Sequence, residues 1–271
     1  MPILRDIALG RYVAVDSPVH RLDPRTKFLG SMVLMLATVT ARTWAPVLLA
    51  GAAVLVGVLV ARLPWRLPLR NLRPFAWLFA FTLVLHGTMT PGHLLWQVPH
   101  TGIEVTAEGL RTGALLSVRL AAVISIASLM TLTTAPMELT DGLERLLRPL
   151  RRFGFPAHEL AMMVTIALRF IPVLVEEAER LHKAQLARGA DFGGGPIRRA
   201  RRLVPLLVPL FISAFGRADR LALAMESRCY RGGEGRTSYR QLQLGAQDAL
   251  AAAATAGLAA LIIWFPALPL R

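Results

Sequence analysis

Two arginines, Arg188 and Arg228, stand forty residues apart in nearly repeated settings. The first lies in Ala184-Gln-Leu-Ala187-Arg188-Gly189-Ala-Asp191, the second in Ala224-Met-Glu-Ser227-Arg228-Cys229-Tyr230. Each closes a long helical pattern and is followed by glycines, Gly193–Gly195 and Gly232–Gly233. Taken singly, either end is ordinary: glycine accepts the left-handed conformation that caps a helix, and an arginine in the last turn suits the negative end of the helix dipole. Taken together, they read as one exposed tip used twice, which calls for two similar docking grooves on homologous partners.

No other set of residues points to catalysis. Cys229 is the one cysteine, which excludes an internal disulfide and a cysteine zinc cluster; without a neighbouring base it is a packing residue rather than a nucleophile. The histidines (20, 86, 93, 100, 158, 182) are scattered, and His93 and His100 with Glu104 fit no metal-ligand spacing, so no metal is expected. Gly232-Gly-Glu-Gly235-Arg lacks the order of a phosphate loop, and there is no nucleophile triad, HExxH or dinucleotide motif. The chain is not expected to hydrolyse ATP or to bind a cofactor. Arg119 falls well inside an apolar segment, where a charge is costly unless paired or hydrated. It either makes a buried polar contact or snorkels from a shallower helix. Arg198, Arg199, Arg201 and Arg202 cluster at a helix start, the wrong end for the dipole, where anionic lipid headgroups or a protein contact would favour them. Thr133-Thr134-Ala-Pro136-Met-Glu138 reads as a helix start with a capping hydroxyl.

The elements that position these residues are membrane helices. Of 271 residues 54% are hydrophobic and 18% charged, with mean hydropathy +0.50 and net charge +14. That composition excludes disorder and an ordinary soluble domain. No basic patch with stacking aromatics suggests nucleic acid. The predicted fold class is all-α and polytopic: about five transmembrane helices plus a cytosolic or interfacial helical domain with two long crossing helices. Residues 1–27 read as a cytosolic arm without a signal peptide. Residues 28–133 form a membrane domain of four spans, near 26–42, 45–61, 74–89 and 108–133. Residues 134–240 form the coupling helices, and 245–266 the last span. Segments 157–176 and 203–215 are short and interrupted, by Arg169 and Pro172 in the first and by Pro205 and Pro209 in the second, which suits amphipathic helices at the membrane surface. Basic residues sort to one side: five in the arm, one (Arg42) in the first connection, four in the second, none in the third and 18 in 137–240. That pattern places the N-terminus inside.

Several segments then resemble the transmembrane subunit of energy-coupling factor (ECF) transporters, the EcfT/CbiQ family. They are the arm His20-Arg-Leu-Asp-Pro-Arg-Thr-Lys27, Thr134-Ala-Pro-Met-Glu-Leu-Thr-Asp-Gly-Leu-Glu144, Ala167-Leu-Arg169-Phe-Ile-Pro172 and the two tips with Tyr230-Arg-Gly-Gly-Glu-Gly-Arg236 behind the second. The family motif is Ala-Arg-Gly at both tips. Ala187-Arg188-Gly189 keeps it, whereas Ser227-Arg228-Cys229 departs at both flanks, so the second turn is expected later, at Gly232. The resemblance implies a non-catalytic, multi-pass subunit of an ABC-type importer in the cell inner or plasma membrane, with ATP and magnesium on two cytosolic ATPase partners. Arg188 and Arg228 would pair with acidic groups in the ATPase grooves. A small membrane substrate-binding subunit would dock on apolar helix faces around Met162, Met163, Ile166, Leu206, Leu210, Phe211 and Phe215, unless these only pack the helices on each other. The tail from Tyr230 to Leu242 is most like the type shared among vitamin-binding subunits; the alternative is a dedicated cobalt, nickel or biotin module. A stand-alone permease would need a polar path through its own spans, and only Arg119 and a few Ser and Thr qualify.

Overall fold

The computed structural model describes residues 12–97, 104–190, 195–232 and 244–264, and for 196–202 the backbone alone. The first residues of the arm, His100, the side chains of Arg198, Arg199, Arg201 and Arg202, the tail beyond Gly232 up to residue 243, and Arg271 lie outside that description. The described residues fall into two compact units. One, the bundle unit, comprises those of Gly10–Gly142 and Leu242–Arg271; the other, the coupling unit, those of Leu143–Gln241.

The bundle unit begins with a single turn, α1 (Pro18–Arg21), and then α2 (Pro24–Thr40) and α3 (Trp44–Val60). α4 (Arg66–Leu72) runs through a tight 3₁₀ turn into α5 (Ala76–Met89). A short antiparallel ribbon, β1 (Leu94–Gln97) with β2 (Glu104–Thr106), leads into α6 (Ala107–Thr133). α7 (Pro136–Leu147) straddles the division between the units, and α10 (Ala246–Trp264) returns to the bundle. The five segments read as spans are thus helical. The ribbon was not legible in the sequence, because strands of four and three residues carry too little alternation to register.

Local chemistry sets the helix starts. Asp23 Oδ1 accepts from Arg25 N at 2.9 Å, with Pro24 in the first turn of α2. Thr106 Oγ1 accepts from Gly109 N at 3.1 Å at the start of α6. The hydroxyl cap expected before α7 is not made. Thr133 Oγ1 turns back to Leu129 O at 2.8 Å, and Thr134 Oγ1 is buried without a partner among the described residues.

The core is built from small residues, as helix packing in a membrane requires. Ala37, Ala41, Val47, Ala50, Ala122, Ala259 and Ile262 form one buried cluster, and Val58, Ala61, Leu63 and Leu132 a second. Gly109 and Gly113, a GxxxG pair, let α6 approach α5 closely. A Cβ at 109 would collide with the His86 carbonyl, and one at 113 would lie 3.0 Å from Leu83 Cα.

The second cluster also takes in Val13 and Val19, so the arm, the end of α3 and the end of α6 lie at one end of the bundle. Val13 N donates to Leu132 O at 3.1 Å, and Asp23 N to Asp248 Oδ1 at 2.7 Å, which brings the start of α10 to that end too. The arginine-bearing connection Arg62–Arg73 therefore shares an end with the arm, as the charge distribution predicts.

The coupling unit holds two helices of 31 residues, α8 (Ala157–Ala187) and α9 (Pro196–Glu226). The interruptions read from the sequence do not break them: α8 runs through Pro172 and α9 through Pro205 and Pro209. Each proline costs one backbone bond, and a long helix with an otherwise strong pattern tolerates that cost. Among the described helices, α6, α8 and α10 are long and apolar enough to cross a membrane, and α3 is a shorter apolar helix. α8 is in that set because its apolar half is continuous with the rest of the helix.

Candidate functional site

The two tips have the same backbone. At the first, Gly189 N donates to Leu186 O at 2.9 Å and Ala190 N to Gln185 O at 3.0 Å, with Gly189 at φ +83°. At the second, Cys229 N donates to Glu226 O at 2.8 Å and Tyr230 N to Met225 O at 3.0 Å, with Cys229 at φ +56°. This is the Schellman cap twice, residue for residue at the 40-residue offset, with an arginine immediately before the left-handed residue each time.

The expectation that the second turn falls at Gly232 is therefore corrected. Gly232 does have positive φ, at +87°, but the helix has already been closed at Cys229. Cys229 holds the left-handed conformation at a cost of about 1–2 kcal/mol that glycine would not incur. The capping bonds and the two matched tips override the local preference.

All six tip residues, Ala187, Arg188, Gly189, Ser227, Arg228 and Cys229, are exposed. Neither Arg188 nor Arg228 has a side-chain partner among the described residues. Each sits where the last helical carbonyls put negative charge, which favours a guanidinium at the tip.

The apolar faces divide. Of the residues picked from the sequence, Met163, Phe211 and Phe215 are exposed, while Met162, Ile166, Leu206 and Leu210 are half-buried. The exposed stripe on α9 runs through Val204, Leu207, Val208, Phe211, Ile212 and Phe215, and α8 exposes Leu160, Met163, Val164 and Ile171. Four of the seven picks thus lie off the stripe. The 3.6-residue period that separates the faces was readable. Which face is left open depends on how the two helices pack, and the sequence does not carry that.

Arg119 makes the internal contact rather than snorkelling. Its Nη1 donates to Val39 O at 3.2 Å and Ala41 O at 3.0 Å, carbonyls at the end of α2. The guanidinium caps that helix and complements its dipole, which is how the bundle accommodates the charge.

A second polar assembly joins the segments that carried the family resemblance. Lys27 is buried and donates through Nζ to His20 O at 3.1 Å and Thr133 O at 3.0 Å. His20 bonds in turn to Ser17 Oγ at 2.6 Å and Val13 O at 3.0 Å. A Cβ at Gly142 would lie 3.0 Å from Pro24 Cβ, so the middle of α7 packs directly on the start of α2. The arm residues from 12 onward are thus pinned at the ends of α2, α6 and α10. Long-range contact of this kind leaves no periodic signal in the sequence.

No group of His, Cys, Asp or Glu among the described residues is arranged to hold a metal ion. His93 lies beside Glu108, whose Oε2 accepts from its backbone N at 2.6 Å.

The long apolar helices define a helical, polytopic membrane protein, and its two arginine tips are exposed. The chain matches the CbiQ family, described as cobalt transport protein, over residues 16–239. It is 50% identical over 269 residues to the energy-coupling factor transporter transmembrane protein EcfT of Heliobacterium modesticaldum, covering 98% of this chain and 100% of that one. It is 51% identical over 251 residues to the protein of that name from Thermanaerovibrio acidaminovorans, covering 92% of each. With the one from Bacillus subtilis it shares 43% identity over 267 residues, 98% of this chain and all of that one. The chain belongs to the CbiQ/EcfT family of transporter membrane proteins.

Proposed function

We propose that this chain is the transmembrane coupling subunit of an ECF-type importer, joining two cytosolic ABC-type ATPases to a small membrane substrate-binding subunit for uptake of a vitamin or other micronutrient. The observation that carries the reading is the pair of matched tips. Two matched caps, each presenting one exposed arginine with no side-chain partner among the described residues, suit two equivalent grooves with acidic groups. ATP and Mg²⁺ bind on those partners and hydrolysis happens there; this chain transmits the motion. The exposed stripes on α8 and α9 receive the substrate-binding subunit. The N-terminus faces the cytoplasm, in keeping with the basic residues gathered at the arm's end of the bundle. Arg119 is spent on capping α2, which counts against a stand-alone permease with a polar path of its own.

The family description names cobalt, which favours a dedicated metal module as the second reading. Mild-detergent co-purification of the tagged chain from native membranes, with partners identified by mass spectrometry, separates them. Two ATPases with several small hydrophobic proteins support the shared vitamin scaffold, and ATPases with one such protein support the dedicated module. Recovery of the chain alone, under conditions where a known complex survives, overturns both.

A further inference from the structure

The repeat that unites the tips runs back along both helices. At the 40-residue offset, Ala178, Arg180, Leu181, Ala184 and Arg188 fall on Ala218, Arg220, Leu221, Ala224 and Arg228, and Glu179 falls on Asp219. α8 and α9 have the same length, 31 residues. Half-buried positions recur at 181 and 221, 185 and 225, and 190 and 230, between exposed ones.

The ion pair that joins the two helices links a position to its own counterpart. Arg217 Nη2 donates to Glu177 Oε2 at 2.9 Å, and the side chains are 28% and 24% exposed. Contact between equivalent positions is what a local two-fold axis through the contact produces. A faithful repeat would then set like charge against like at that point. The sign of charge is kept at 179/219, 180/220 and 188/228; it is inverted at 177/217, as it is at the outlying pairs 159/199 and 191/231. Inversion at the position on the axis is what an attractive contact there requires.

We infer that the Glu177–Arg217 bond is the fulcrum of the coupling unit: it fixes the register of α8 against α9, so that both arginine tips stand at equal reach on either side of a local two-fold axis. Arg188 lies eleven residues beyond Glu177, and Arg228 eleven beyond Arg217, about 16 Å along each helix. A slip of one turn, about 5.4 Å, would leave one tip short of its groove while the other overshot. Glu177 and Arg217 are positioning residues; they touch neither ATP nor substrate. The functional part of this inference rests on the docking reading of the tips, while the register itself is a property of this chain.

The test uses the full chain in lipid nanodiscs, with spin labels on Cys229 and on Ala187→Cys, read by pulsed electron resonance. The parent gives one narrow intramolecular distance. Glu177→Arg and Arg217→Glu each broaden it or shift it by about one helical turn, roughly 5 Å, and the double swap Glu177→Arg/Arg217→Glu restores it. Glu177→Gln provides a milder disruption should a reversal fail to fold. In the assembled transporter, carrying wild-type tips, uptake falls about tenfold in each single reversal and returns to within about twofold in the swap, the signature of a coupled pair. Unchanged distances in the single variants, or a swap that does not restore them, overturn the inference. The docking reading fails separately, if ATPases still assemble on Arg188→Glu/Arg228→Glu while the distances behave as stated.

Discussion

The bundle unit and the two tips of the coupling unit handle their charged groups in opposite ways. In the bundle, Arg119 caps α2, Lys27 bonds two carbonyls, and Asp248 accepts the Asp23 amide. These three charged groups act inside the unit, holding helix ends together. In the coupling unit, the tip arginines are exposed and have no side-chain partner among the described residues. On the docking reading proposed above, the contrast separates scaffold from interface: a group satisfied within the chain stabilises it, and the exposed tip arginines are the groups that a partner would complete.

Substitutions can break that comparison. The largest expected effect on the chain itself is at Lys27. Lys27→Met strands the His20 and Thr133 carbonyls and removes two charge-assisted bonds, which destabilises the bundle by about 3 kcal/mol. Thermal unfolding in detergent should show a clear fall in the midpoint. Gly113→Leu comes next, at about 1–3 kcal/mol from forcing α6 off α5, checked by the same melt. At the tips the energies are smaller and of both signs. Cys229→Gly relieves the left-handed strain and gains about 1 kcal/mol, while Gly189→Ala loses about 1 kcal/mol; amide hydrogen exchange in the last turn of each helix reads both. Smallest of all, Phe211→Ser with Phe215→Ser changes the melt of the isolated chain by no more than about 0.5 kcal/mol, yet reduces co-purification of the substrate-binding subunit. A large loss of chain stability from that last pair would show that the stripe packs within this chain, and the division between units would not hold.

What was legible in the sequence follows the range of the signal. Helices of the bundle announce themselves by apolar length, and the tips by repetition, so both were readable. Cys229 was misread because local propensity favours glycine for a left-handed turn, while the capping bonds that impose the turn are set by the end of α9. Pro172, Pro205 and Pro209 were weighed as breaks for the same reason. Lys27 with Thr133 and Asp23 with Asp248 lie 106 and 225 residues apart, beyond any periodicity. The exposed side of α9 needed the packing partner before Val204, Leu207, Val208 and Ile212 could be distinguished from Leu206 and Leu210. The Glu177–Arg217 contact was available as an offset of forty but meaningless until the two positions were seen to touch.

The central claim is that the tips serve partners rather than the chain. The most direct test is to purify Arg188→Glu/Arg228→Glu in parallel with the parent and measure both its melting midpoint and the ATPases it retains. The midpoint should be unchanged and both ATPases lost, because reversing a charge at each groove costs about 2–5 kcal/mol per contact. Full retention of the ATPases with uptake intact would contradict it.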